Sequence, residues 1–83
     1  MATEKQAAQR KAKAAKFMLK IKGDTADKVL HKVSHQVGPV TVHATKHSYD
    51  VDLGFVDDRL YEGTAKSLRA ALMIALKKWQ ADQ

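Results

Sequence analysis

Apolar residues recur with a helical period over Thr64–Trp79, where Ala65, Leu68, Ala71, Leu72, Ala75, Leu76 and Trp79 fill one continuous arc. Thr64 is placed as the N-cap, because its hydroxyl can accept an orphan backbone N–H, and Gly63 lets the chain turn into the helix. Lys77 and Lys78 lie where the negative end of the helix dipole favours cations. A second helical period runs through Ala26, Val29, Leu30, Val33 and Val37, with Asp24 or Thr25 as its cap. Lys28, His31, Lys32 and His35 take its opposite side, and Gly38-Pro39 stops it because proline cannot continue a helix.

Between these two helices the period changes to two. Val40, Val42 and Ala44 share one face of a strand, with Thr41, His43 and Thr45 on the other. Lys46-His47-Ser48 reads as a turn. Tyr49, Val51, Leu53 and Phe55 then alternate with Asp50, Asp52 and Gly54, the cleanest strand pattern in the chain. Asp57-Asp58 reads as a further turn, and Leu60-Tyr61-Glu62 as a short third strand leading into the last helix. Connections this short predict antiparallel hairpins. Two helices should cover one face of the sheet, leaving the face with Thr41, His43, Thr45, Asp50 and Asp52 to water.

The first 22 residues follow a different pattern. Residues 2–16 are almost entirely Ala, Gln, Lys and Arg, and Thr3 followed by Gln6 resembles a capping box. A helix from Thr3 to Ala15 is expected, yet no large apolar side chain precedes Phe17, and an isolated helix of that length is marginal in water. The segment therefore reads as a frayed helix or a disordered arm. Lys16 to Lys22 admits two readings. Phe17, Leu19 and Ile21 alternate with Met18, Lys20 and Lys22 as in a half-buried strand, which the clean alternation favours. The rival reading continues the helix, with Ala14, Phe17, Met18 and Ile21 on one face and Gly23 just past its end. The expected fold class is α+β: a three- or four-stranded antiparallel sheet with two helices packed on one face, plus a basic N-terminal arm over 1–16 and a single domain over 17–83.

Charge sharpens this division. The 83 residues carry a formal net charge of +6. Residues 1–22 hold Lys5, Arg10, Lys11, Lys13, Lys16, Lys20 and Lys22 against Glu4, whereas basic and acidic residues balance over 23–83. The whole excess sits in the first 22 residues. The chain has no cysteine, which excludes disulfides and thiolate metal sites and points to a reducing, cytoplasmic setting. No apolar run reaches the length of a membrane span, and the basic N-terminus is not followed by the apolar stretch of a signal peptide.

The order helix, three antiparallel strands, helix resembles the double-stranded RNA-binding domain over residues 24–79. The run Gly63-Thr-Ala-Lys-Ser-Leu-Arg-Ala-Ala-Leu-Met-Ile-Ala-Leu76 is similar to the start of that family's last helix, with Lys66, Ser67, Arg69 and Ala71 matching. His47 echoes the histidine of the family's loop between the first two strands. The resemblance implies phosphate contacts from Lys66 and Arg69, which are all that stands here of the family's lysine cluster. The strand-strand-strand-helix ending is also shared with HicB-like antitoxins and small phage proteins.

Nucleic acid is the first expected partner, held through its phosphates by Lys5, Arg10, Lys11, Lys13, Lys16 and Lys20 of the arm and by a stripe of Lys66, Arg69 and Lys77 on the last helix. The arm has no aromatic residue for base stacking. The alternative is a small adaptor or inhibitor of another protein, such as a phage-type modulator of a host factor. That reading uses the arm together with Met73 and Ile74, two large apolar residues beside basic ones that would also suit a homodimer. His31 and His35 have the i, i+4 spacing of a zinc pair but lack a third ligand, and Asp50 and Asp52 read as an outward strand face. With no nucleophile and no glycine-rich phosphate loop, the chain is expected to be non-enzymatic, without metal, cofactor or membrane partner.

Overall fold

The computed structural model of the protein describes residues 4–54 and 60–83. The elements follow as α1 (Glu4–Lys20), α2 (Ala26–Gln36), β1 (Val40–Ala44), β2 (Tyr49–Gly54), β3 (Leu60–Ala65) and α3 (Leu68–Ala81). The fold is α+β. Its three strands form one antiparallel sheet in the order β1-β2-β3. Phe55 as a continuation of the second strand, the Asp57-Asp58 turn and the cap at Thr3 lie outside the described residues.

Register explains which face of the sheet is buried. Val42 pairs with Val51 and Val51 with Gly63, while Val40 pairs with Leu53 and Leu53 with Tyr61. These residues share the face on which α2 and α3 rest, and Val51 and Leu53 are fully buried there. Thr41, Asp52 and Glu62 form one row of the opposite face, and His43, Asp50 and Thr64 the next. Thr64 Oγ1 donates to Asp50 Oδ1 at 2.8 Å across that polar face. From the helices, Val29, Val33, Ala71, Leu72, Ala75 and Leu76 complete the buried cluster, as their helical spacing predicted. Thr25 caps α2, its side chain accepting from the Lys28 N–H.

Two boundaries differ from the sequence reading. The last helix opens at Ser67 rather than Thr64: Ser67 Oγ accepts the Ala70 N–H at 3.2 Å. Gly63, Thr64 and Ala65 instead extend β3, pairing with Val51, Asp50 and Tyr49. Pairing there also gives partners to backbone groups of β2 that a further helical turn would leave open. Gly63 therefore serves close packing. A Cβ built there would overlap the Ala71 carbonyl oxygen and lie 2.7 Å from the Ala75 nitrogen, so α3 lies directly on the strand backbone at this point.

The second correction is larger. Residues 16–20, favoured as a strand, belong to α1, which runs unbroken to Lys20. Strand geometry would have turned Phe17, Leu19 and Ile21 to one side. Phe17 and Ile21 are buried, but Leu19 is 70% exposed. Ala14, Phe17 and Ile21 form the helical face instead. The chain leaves α1 through Gly23, whose φ of 86° is a left-handed conformation that side chains disfavour, and the Asp24 N–H returns to the Ile21 carbonyl. No helix among the described residues is long and apolar enough to cross a membrane.

Candidate nucleic-acid interface

The buried edge of α1 fixes where its charges point. The Phe17 ring meets Trp79 of α3 edge to face, with centroids 5.7 Å apart and planes at 80°. Among the described residues α1 packs on α3, makes no close backbone approach to a strand, and stands off from α2. With Ala14, Phe17 and Ile21 turned inward, Lys13, Lys16 and Lys20 fall at i, i+3 and i+7 along the flank that faces α2. They line a groove of about 420 Å³ together with Phe17, Lys32 and Gln36. Nothing in the spacing of Lys32 and Gln36 on α2 marked them as part of this site; the turn of the chain at Gly23 brings them opposite α1.

Lys32 is held in place. Its ammonium sits 2.6 Å from Asp24 Oδ2 and 3.3 Å from the Lys20 carbonyl oxygen, at the negative end of the α1 dipole. The exposed ion pair adds little stability, but it orients Lys32 across the groove. Lys13, Lys16 and Lys20 have no carboxylate partner among the described residues. All three are exposed, so their charge is available to a ligand.

The remaining basic residues do not all join this row. Arg10 lines the continuation of the groove toward Trp79 and Gln83. Lys11 lies on the other flank of α1, across a second groove from Lys77. Lys5 is exposed near the N-terminus, and Lys66 is exposed in the link between β3 and α3, at the end of α3 remote from Lys77. Arg69 is half-buried, and its Nε donates to the Asp24 carbonyl at 2.9 Å, tying α3 to the start of α2. The stripe of Lys66, Arg69 and Lys77 is thus spread along α3, with its middle member engaged inside the protein.

Met73 and Ile74 also separate. Met73 is half-buried and faces α1, where it lines a groove with Met18, Leu19 and Arg69. Ile74 is 38% exposed and lies over Gly63 at the β3 side. No group of three metal-ligating side chains occurs among the described residues. The outward face of the sheet carries Asp50, Asp52 and Glu62. Comparison with models of protein families, with curated proteins and with solved structures found no match.

Proposed function

We propose that the protein is a non-enzymatic binder of nucleic acid that grips the phosphate backbone through the α1–α2 groove. The observation that carries this reading is the row of Lys13, Lys16 and Lys20 on a helix anchored by Phe17, with Lys32 facing it. At 1.5 Å per residue the row spans about 10 Å, the axial rise of about three phosphates on one strand. Three cations in fixed order can follow a regular array of anions without first ordering a flexible tail. Phe17 is buried against Trp79, so the groove offers phosphate contact rather than base stacking. The order α2-β1-β2-β3-α3 agrees with the double-stranded RNA-binding domain, and a duplex is accordingly the first ligand to try.

The test is fluorescence anisotropy with labelled duplex RNA, duplex DNA and single strands across a salt series. Changing Lys13, Lys16 and Lys20 together to Gln keeps side-chain length and helix propensity while removing the row. Affinity should fall at least tenfold at low salt, and the log–log salt slope should flatten by about 2–3 units. Unchanged affinity and slope would remove the groove from the interface.

A second reading, a small adaptor or inhibitor, has its own observation. Leu19 is 70% exposed beside Met18 and Met73, and Lys22 and Arg69 flank them. An acidic, amphipathic segment of another protein fits that surface. Absence of binding to every nucleic acid at about 50 mM salt would favour it.

A further inference from the structure

β1 is paired with β2 along one edge and open along the other. The Gly54 N–H donates to the Pro39 carbonyl and the Thr45 N–H to the Ser48 carbonyl, which fixes the hydrogen-bonding phase of the β1–β2 ladder. In an antiparallel pair that phase alternates, so Thr41 and His43 bond to β2 while Val40, Val42 and Ala44 direct their N–H and C=O groups away from the sheet. Residues 41–44 are all exposed, Val42 at 39%, and nothing among the described residues covers this edge.

Edges of this kind are normally blunted by a charge, an inward lysine, a proline or a bulge. Val40-Thr-Val-His-Ala44 has none within the strand, and its register with β2 is unbroken. Pro39 lies just before it. β3, the opposite edge, carries Glu62 at its centre and lies under α3. The difference singles out β1.

We infer that β1 pairs antiparallel with β1 of a second copy about a twofold axis through Val42, joining two three-stranded sheets into one of six strands. In that register Val42 meets Val42 of the copy, Val40 meets Ala44, and Thr41 meets His43. Every pair is apolar with apolar or polar with polar, and no two fixed charges face each other. The sheet faces are conserved by such an axis, because strands paired antiparallel within one sheet keep their side chains in phase. The two Val42 side chains then cover each other on the helix side, where α2 and α3 leave them open. The lysine rows of the two copies emerge on the same side of the joined sheet. The area is that of one added strand, so the dimer is a concentration-dependent one.

Size-exclusion chromatography with light scattering, from micromolar to millimolar protein, should show mass rising from one chain toward two. Val42→Lys, at an exposed position, should hold the chain monomeric with its circular dichroism unchanged, because two ammonium groups would meet at the axis. The register is tested by cysteines in a chain that has none of its own. Paired Cα atoms at the axis lie about 5.5 Å apart, within disulfide range, so Val42→Cys should cross-link under mild oxidation. Thr41→Cys and Ala44→Cys should not, since their partners across the axis are His43 and Val40. A monomer at every concentration, a dimer that survives Val42→Lys, or equal cross-linking at positions 42 and 44 would each overturn the inference. The first result would leave the edge to a strand of some other protein.

Discussion

Gly63 illustrates what a single residue decides and why its neighbours in sequence do not reveal it. Beside Thr64 it looks like the flexible entry to a helix, and that is how the pattern of residues presents it. In the structure it sits in β3 under α3, where a Cβ would press on the Ala71 carbonyl and the Ala75 nitrogen. Both obstacles are backbone and cannot rotate away. Gly63→Ala should therefore destabilise the fold by about 2–4 kcal/mol through overpacking, despite being the smallest substitution possible. Urea denaturation would measure this as a lower midpoint at unchanged m-value. A loss below about 0.5 kcal/mol would mean that α3 stands further off the sheet than described. The buried leucines are the opposite case. Leu72 and Leu76 were legible from spacing alone, because a helix carries its own period wherever it packs. A close approach between elements leaves no such period, only a glycine.

At the scale of elements, α2, the strand pair β1–β2 and α3 were readable because each repeats its period over enough residues to exclude the alternative. The turn from α1 into α2 was not. Phe17, Leu19 and Ile21 satisfy a period of two, while Ala14, Phe17 and Ile21 satisfy a helix, and seven residues cannot separate the two patterns. What decides is tertiary. The helix sets Phe17 edge to face against Trp79 and leaves Leu19 in solvent, a division that strand geometry would not make. The two geometries give Leu19 opposite fates, which makes it the informative position. Ile21→Ala should cost about 2–4 kcal/mol, since Ile21 is fully buried, while Leu19→Ala should change stability by less than about 0.5 kcal/mol. Equal losses at the two positions would restore the strand. The row of lysines was visible in the sequence as an excess of charge, but its alignment with Lys32 follows only once α1 is a helix locked by Phe17. Deleting α1 is accordingly a poor probe of its charges, because Ala14 and Phe17 belong to the core.

At the scale of the molecule, Lys13, Lys16 and Lys20 lie on α1, which packs on α3, while Asp50, Asp52 and Glu62 lie on the open face of the sheet on the other side of the helix layer. A phosphate strand seated in the groove lies beyond that layer from the acids, at a separation of roughly 10 Å or more. Their repulsion must act through a body of low dielectric and through solvent whose screening length is about 8 Å at 0.15 M salt and about 30 Å at 0.01 M. Neutralising them with Asp50→Asn, Asp52→Asn and Glu62→Gln keeps an acceptor for Thr64 and leaves the lysines untouched. If the groove is the binding surface, affinity should rise by a few-fold at about 0.01 M salt and be unchanged at about 0.15 M, where the acids are screened from the ligand. If instead the strand lay on the open sheet, the same three changes would remove charges in direct contact, and the gain would persist at 0.15 M because contact pairs are screened least. Anisotropy titrations of the triple variant at the two salt concentrations therefore report which side of the molecule meets the phosphates. They do so without altering any residue of the proposed site. A gain that survives at the higher salt would place the ligand on the sheet and end the case for the α1–α2 groove.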